Sequence, residues 1–99
     1  MIDKLIKESL KSLKHNDVPI AAFIVKNDKI ISKAHNSRMQ KHLTINHAEI
    51  MAISKANKKL KDFRLFDCDL YVTLEPCDMC MGAILSSRIK NIYIGTLDP

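Results

Sequence analysis

The sequence predicts an α/β protein in which helices cover both faces of a mixed β-sheet. Three observations lead to this prediction. Apolar residues recur at helical spacing near the N-terminus, two buried strands flank a tight turn, and a later strand–helix–strand unit implies a parallel pair. The chain has 99 residues, 46% of them apolar, so we expect a single domain over residues 1–99 with a thin aliphatic core.

An amphipathic helix is expected at the N-terminus, over about residues 2–14. Apolar residues recur there every three or four positions with lysines between them, which is the pattern of one apolar stripe on a helix. The stripe consists of Ile2, Leu5, Ile6, Leu10 and Leu13. The polar pair Asn16-Asp17 and the following Pro19 then end the helix.

A β-hairpin should follow this helix. Residues 20–25 form an apolar run that is typical of a fully buried strand, and residues 30–34 predict its neighbour. The polar tetrapeptide at 26–29 indicates a tight turn, so the two strands should pair antiparallel. Residues 36–46 predict a loop of about ten residues, and connections of that length inside compact domains are usually functional.

The second half of the chain predicts the order helix, strand, helix, strand. A helix should run from about residue 47 to 58, with lysines in its last turns, where the helix dipole favours positive charge. A short buried strand at 70–74 precedes Pro76, whose missing N–H is not needed in the first turn of a helix. That helix should end near residue 87. Residues 91–94 predict the last strand, joined in parallel by a right-handed crossover.

The strongest chemical signal is His47-Ala48-Glu49 combined with Pro76-Cys77-Asp78-Met79-Cys80. Two cysteines three positions apart at a helix start lie on one turn, so both sulfur atoms can reach a single ion. The helix N-terminus should also favour their thiolate forms. With His47 as a third ligand, one tetrahedral position of a zinc ion remains for water, which is typical of catalytic zinc.

Glu49 is the predicted catalytic residue. It lies two residues after His47 on the same predicted helix and therefore points to a different side from the metal ligand. We expect its carboxylate to reach the zinc-bound water without coordinating the metal. Because two thiolates weaken the pull of zinc on that water, a carboxylate that takes and redelivers the proton is chemically useful.

Other interpretations of the cysteines remain open at this point. A Cys-x-x-Cys pair alone is most often a structural zinc knuckle or a redox motif. Cys68 could also complete a closed site of three cysteines and one histidine that has no catalytic role. However, Cys68 precedes the strand whose far end leads to Cys77, so we expect it to be a distant, inert and buried thiol.

His-x-Glu followed by Pro-Cys-x-x-Cys resembles the signature of the zinc-dependent cytidine and nucleobase deaminases. Five segments are similar to the bacterial tRNA adenosine deaminases: residues 70–77, Met79-Cys80, Gly82–Ile84, Ser87–Ile89 and the closing Gly95–Pro99. The resemblance covers roughly residues 16–99. It implies the three-layer α/β/α sandwich and mixed sheet of the cytidine deaminase-like fold, one Zn²⁺ per chain, and a homodimer. The implied reaction converts the wobble adenosine of a tRNA anticodon to inosine.

The resemblance also implies roles for individual positions. Glu49 would move a proton from water to the ring nitrogen of the base and then to the departing ammonia. Asn36 lies eleven residues before His47, where the family has an asparagine that binds the substrate base, and the backbone N–H of Ala48 would lie near the base as well. Without the resemblance, Asn36 would be taken for a loop asparagine bonded to its own backbone. The implied zinc ligands are His47, Cys77 and Cys80.

Members of the family extend further at the C-terminus, where a further edge strand and C-terminal helices help to bind RNA. We expect this chain to be a C-terminally truncated deaminase domain that lacks these elements. The last strand, residues 91–94, would then be an exposed edge with an uncovered helix-packing face, which is a hazard for aggregation. The metal site should be intact and the stability reduced.

Charge and composition bear on the partners. The formal net charge is +5, which is compatible with a polyanionic partner such as the tRNA anticodon stem-loop, or with a solvated lysine-rich surface. Lysines near the end of the second long helix could contact phosphates, namely Lys55, Lys58, Lys59 and Lys61. No apolar run approaches the ~20 residues that span a bilayer, and no secretion signal is visible. With three cysteines, a cytoplasmic protein is expected.

Two alternative functions remain. Because the zinc chemistry is common to the superfamily, the motif residues do not separate tRNA from a free base or nucleotide, such as guanine, cytosine or deoxycytidylate. The second alternative is an inactive deaminase fragment kept for binding or dimerisation. The presence of all four motif residues speaks against decay by substitution.

Overall fold

The computed structural model describes residues 1–96 and contains the predicted helices and strands in the predicted order. Leu97–Pro99, the end of the Gly95–Pro99 segment, lie outside the described residues. The helices are α1 (Ile2–Leu10), which continues as a 3₁₀ turn (Lys11–His15), α2 (Arg38–Lys41), α3 (Ala48–Leu60) and α4 (Asp78–Ser86). The strands are β1 (Ala21–Lys26), β2 (Lys29–His35), β3 (Cys68–Leu74) and β4 (Asn91–Thr96).

The predicted bounds differ from the observed ones mainly at two places. The connection predicted as a loop over residues 36–46 contains the short helix α2, which no apolar periodicity announces. The helix predicted to start at Pro76 starts two residues later, because Cys77 keeps an extended backbone (φ −74°, ψ 175°) as the N-cap of α4. Among residues 1–96, none of the helices combines the length and the apolar character that crossing a bilayer requires.

A four-stranded mixed sheet in the order β2-β1-β3-β4 forms the middle layer. β1 pairs antiparallel with both β2 and β3, and β3 pairs in parallel with β4 through the α4 crossover, as predicted. Asn27 and Asp28 in the hairpin turn both have left-handed φ values, 51° and 62°. Two such residues in a two-residue turn match the right-handed twist of the strands they join, and Asn and Asp tolerate this conformation.

The two faces of the sheet are packed differently. On one face α3 and α4 cover the central strands, and the contact side of α3 carries the fully buried Ala48, Ala52 and Ala56. Their spacing of four residues places them on one helix face, and their small size lets α3 lie close to the sheet. On the opposite face α1 packs through Leu5 against a smaller cluster around Phe23. The molecule therefore has three layers, and the layer formed by α1 is thinner than the layer formed by α3 and α4.

The apolar stripe predicted for the first helix is real in sequence, but most of it does not face the core. Only Leu5 is buried, and its partners on the buried side of the helix are polar: Glu8, Ser9 and Ser12. Four residues of the stripe are about half exposed or more, namely Ile2, Ile6, Leu10 and Leu13. In this orientation Glu8 is buried and contacts His35 of β2. The periodicity of apolar residues cannot indicate such a polar contact.

The last strand lies at the edge of the sheet, as predicted. β4 has exposed side chains along most of its length, and its Tyr93 stacks against Tyr71 of β3 with ring centroids 4.7 Å apart. Tyr93 and Ile94 are 47% and 40% exposed. Such an edge offers unpaired backbone groups to other chains.

Glu8 anchors α1 to the end of β2. The residue is 6% exposed; one carboxylate oxygen lies 2.6 Å from Nδ1 of His35, and the other accepts a hydrogen bond from Nζ of Lys11 at 3.0 Å. Burial by itself would raise the pKa of Glu8, but the hydrogen bonds from His35 and Lys11 outweigh it and hold the pKa below its ordinary value of 4.5. Ionised Glu8 therefore stabilises the fold.

Replacing Glu8 by glutamine should lower the free energy of unfolding at pH 7 by about 1–3 kcal/mol, since a buried charged hydrogen-bond acceptor is lost. The folded-state pKa lies below the unfolded one, so this stabilisation is present above about pH 4.5 and disappears as the pH falls through the folded-state value. Urea unfolding of both proteins between pH 7 and pH 3 measures the difference. Asp3→Asn, on the exposed side of α1, is the control. A difference that stayed constant over this range would contradict the ionic role.

Candidate metal centre

The N-termini of α3 and α4 bring three metal-binding side chains together. His47 is the N-cap of α3, Cys77 is the N-cap of α4, and Cys80 lies in the first turn of α4. Both capping residues have extended backbones, which places their side chains beside the helix starts instead of along the helix flanks. The fold thus brings together two short segments that are thirty residues apart in the sequence.

The spacing of the three donor atoms matches a zinc ion. Nδ1 of His47 lies 3.7 Å from Sγ of Cys77 and 3.5 Å from Sγ of Cys80, and all three donor atoms lie within 4.8 Å of one another. Zinc bonds of about 2.0–2.1 Å to nitrogen and 2.3 Å to sulfur, at tetrahedral angles, require nitrogen–sulfur distances of about 3.6 Å. The donor set and its geometry therefore fit zinc held by three protein ligands.

Burial shifts the pKa values of the cysteine and histidine donors in opposite senses with respect to metal binding. Burial raises the pKa of Cys80 far above its ordinary value, and the nearby carboxylate of Glu49 raises it further. This differs from the expectation that the helix N-terminus favours the thiolate, because burial dominates; a bound cation has to displace the proton. Burial, and then the charge of Arg38, lowers the pKa of His47, which favours the neutral imidazole that a metal needs.

Glu49 lies beside this cluster with an unpaired oxygen. Its side chain is 3% exposed, and Oε1 is buried without a hydrogen-bond partner among residues 1–96. Burial raises the pKa of Glu49. An unpaired buried carboxylate oxygen is costly and is rare in native proteins. Next to three metal ligands, it fits a group whose partner is a water molecule or a substrate.

The structure places Asn36 and Ala48, the two predicted substrate contacts, in contact with each other. Oδ1 of Asn36 accepts a hydrogen bond from the backbone N–H of Ala48 at 2.7 Å, and both residues are buried. Asn36 thus bonds across twelve positions of the chain and not to its own backbone. The N–H of Ala48 is already paired, so the side-chain NH₂ of Asn36 is the group left to donate to a ligand. Binding of the base by these residues stays a prediction.

Two supporting residues were not foreseen from the sequence. Ser12 is 1% exposed, and its hydroxyl donates to the backbone carbonyl of Asn36 at 2.8 Å. The buried carboxylate of Asp17 accepts hydrogen bonds from the backbone N–H groups of Met39 and Gln40, at 2.8 and 3.3 Å, and so caps α2. Both contacts span more than twenty positions, so no local pattern could have indicated them.

Cys68 does not belong to the metal cluster. It begins β3, whereas Cys77 follows the other end of that strand, and six steps along a strand amount to about 20 Å. Cys68 is fully buried, its thiol contacts the carbonyl of Phe66 at 3.6 Å, and burial raises its pKa. The metal-ligand group found among residues 1–96 contains His47, Cys77 and Cys80 without it. The closed site with Cys68 as fourth ligand is therefore wrong, and the predicted burial of Cys68 is confirmed; its inertness stays a prediction.

The comparisons with known proteins agree with this geometry. Residues 1–96 match the family described as the cytidine and deoxycytidylate deaminase zinc-binding region. The chain belongs to this family. Its members are named for zinc binding, so the cofactor of the domain is zinc, and the three clustered donors are the residues of this chain that fit it.

Among curated relatives, deaminases that act on tRNA are similar over nearly the whole chain. The tRNA-specific adenosine deaminase of Bacillus subtilis is 46% identical over 94 residues, which cover 95% of this chain and 58% of the relative. The enzyme of the same description from Aquifex aeolicus is 43% identical over 93 residues, covering 94% of this chain and 62% of the relative. The chain thus spans about three fifths of the length of the relatives it matches.

Solved deaminase structures have the same fold. A structure from a study of A-to-I editing by tRNA:A34 deaminases at the wobble position of transfer RNA superposes with a TM-score of 0.95 at 37% identity. It covers 99% of this chain and 75% of the other. Guanine deaminase from Bacillus subtilis gives a TM-score of 0.91 at 33% identity, covering 97% of this chain and 62% of the other. The predicted cytidine deaminase-like α/β/α fold is confirmed.

Proposed function

We propose that this chain is a single zinc-dependent deaminase domain that converts the wobble adenosine of a tRNA anticodon to inosine by hydrolysis. The observation that carries the proposal is a donor set with the spacing of zinc ligands beside a buried carboxylate oxygen of Glu49 that has no hydrogen-bond partner among residues 1–96. The identity to tRNA-specific adenosine deaminases over 95% of the chain supports adenosine in tRNA as the substrate. A homodimer and a cytoplasmic location belong to the same proposal.

The reaction assigns a role to each residue of the site. His47, Cys77 and Cys80 would hold zinc, which when bound supplies a water activated for attack at neutral pH. Hydrolysis forms a bond from the water oxygen to C6 of adenine, breaks the bond from C6 to the amino nitrogen, and releases ammonia. Glu49 accepts the first proton that the water loses and delivers it to N1 of the ring. It then takes the second proton from the hydroxyl now attached to C6 and passes it to the leaving amine, so that the products are inosine and ammonia.

The polar contacts around Asn36 orient the base. Because Oδ1 of Asn36 accepts a hydrogen bond from the N–H of Ala48, the NH₂ group of the same side chain remains as a donor. It lies close to the first turn of α3, which also carries Glu49. Its backbone N–H is bonded to the carbonyl of Ile20 at 3.0 Å, and Ser12 holds its carbonyl, so the residue is fixed at both ends. A base with an acceptor at this position would bind without any rearrangement of the loop.

A free base is the second candidate substrate. The similarity to guanine deaminase from Bacillus subtilis, at 33% identity, favours guanine over the other free bases and nucleotides. The zinc ligands and the proton-transferring carboxylate serve both substrates equally. The distinction therefore depends on contacts outside the metal site.

Direct comparison of substrates tests the proposal. The zinc-loaded chain is incubated with an anticodon stem-loop bearing a wobble adenosine, and in parallel with guanine, cytosine and deoxycytidylate. The expected product is inosine in the stem-loop, measured by mass spectrometry. A stem-loop with the adenosine moved one position along the anticodon is the control and should stay unmodified. Turnover of guanine alone would replace the proposal by the second candidate, and no turnover with one zinc bound would indicate an inactive fragment.

A further inference from the structure

A lysine-rimmed groove lies between α1 and β2, on the sheet face opposite α3 and α4. Its volume is about 580 Å³. The floor is largely apolar and is formed by Phe23, Ile30 and Ile31. Four lysines line it from both sides, namely Lys4, Lys7 and Lys11 from the helix and Lys33 from the strand. The groove is thus open to solvent and lined mainly by positive charge.

The positive charge of this groove is mostly uncompensated. Glu8 is the one acidic residue among the groove's lining, and its carboxylate is already engaged by Lys11 and His35. Within residues 1–96, the ammonium groups of Lys4, Lys7 and Lys33 take part in no ion pair. Like charges facing each other across a concave surface raise the local potential and attract anions.

The groove is lined by the strand that leads to the loop carrying Asn36. β2 is an edge strand, and it runs from Lys33 to His35 and directly into Asn36. Three steps along a strand amount to about 10 Å, so the near end of the groove lies a few nucleotides from the predicted base site. On the helix, Lys4 to Lys11 span about 10 Å more. A polynucleotide entering at Asn36 can therefore pass around the sheet edge into the groove.

We propose that this groove binds the phosphate backbone of the RNA substrate beyond the target nucleotide. The inference rests on the proposed function and extends it by adding a second contact region. Spaced ammonium groups along a concave path suit a chain of phosphates. They suit a flat anionic bilayer less well. Leu5 and Glu8 fix α1 on the sheet, so the lysines stay along a concave surface and the helix is not free to lie flat on a membrane. The ribose and base edges would pack over the apolar floor.

Salt-dependent binding of the stem-loop tests the groove. The variant K4Q/K7Q/K33Q is compared with K58Q/K59Q/K61Q, which loses the same charge at the C-terminal end of α3, on the other face of the sheet. Each phosphate contact contributes about 0.7–0.9 to the slope of log affinity against log salt. The groove variant should therefore reduce the slope by about 2–3 and weaken binding at least tenfold. The α3 variant should match the wild type. Thermal unfolding verifies that both variants are folded.

Deamination and vesicle binding separate the possible outcomes. On the stem-loop the groove variant should raise KM and leave kcat within about twofold of the wild type, since the groove lies outside the catalytic site. A wild type that binds the stem-loop with this slope but forms no inosine would reject the proposed function and keep the groove. Equal slopes for the two triple variants, or no binding of RNA by the wild type, would overturn the groove. If the groove variant lost binding to phosphatidylserine vesicles but bound the stem-loop like the wild type, the proposal would also be overturned, and the groove would be a membrane-binding surface.

Discussion

Replacing Glu49 by glutamine should abolish inosine formation while zinc remains bound at one ion per chain. Proton transfer by a positioned side chain contributes about 10²–10⁴ to the rate, and the glutamine amide cannot accept the proton. Because Oε1 has no partner among residues 1–96, the loss of the charge should not destabilise the fold. Single-turnover assays with quantification of zinc measure both effects.

A surface carboxylate provides the control for Glu49. Asp28→Asn lies in the hairpin turn, and asparagine tolerates the left-handed backbone at that position, so activity and stability should both be unchanged. The assignment of Glu49 would be rejected by Glu49→Gln retaining more than a tenth of the wild-type rate. Loss of zinc in the same variant would instead make Glu49 a metal ligand.

Replacing Cys80 by serine should remove zinc binding and its contribution to stability. The side chain is fully buried between Glu49, Cys77 and His47, and a serine hydroxyl does not provide the thiolate that zinc requires here. At a free zinc concentration a thousand times the dissociation constant, the metal stabilises the wild type by about 4 kcal/mol. Thermal unfolding with and without zinc should therefore show a large shift for the wild type and little or none for Cys80→Ser.

The buried cysteine outside the site is the matched control. Cys68→Ser makes the same chemical change in a residue of the same burial, at the far end of β3. It should lose some stability because a hydroxyl replaces a buried thiol, but it should keep the full shift with zinc and the full activity. A zinc shift that disappeared in Cys68→Ser and persisted in Cys80→Ser would contradict the assignment of the ligands.

Features that depend on neighbouring positions could be predicted from the sequence. Cys77 and Cys80 lie within one helical turn, so their spacing alone places both sulfur atoms within reach of one ion. The turn at Asn27-Asp28 depends on the backbone preferences of two residues, and it forms where predicted. The order of strands and helices likewise follows from apolar periodicity and short connections.

Features that depend on contacts between distant parts of the chain were decided by the tertiary structure. The apolar stripe of α1 was visible in the sequence, yet the helix buries Leu5 together with Glu8. The Glu8 carboxylate contacts the imidazole of His35, which is 27 positions away in the sequence, so no local pattern could indicate this orientation. Burial is also a property of the assembled fold. It raises the pKa of Cys80 against the expected effect of the helix N-terminus, and it leaves Oε1 of Glu49 without a hydrogen-bond partner in the described part of the chain. The residue types and their spacing determined the zinc chemistry. The packing of the helices on the sheet decided which atoms of these residues are exposed, hydrogen-bonded or protonated. These properties depend on neighbours in space, which the order of residues does not specify.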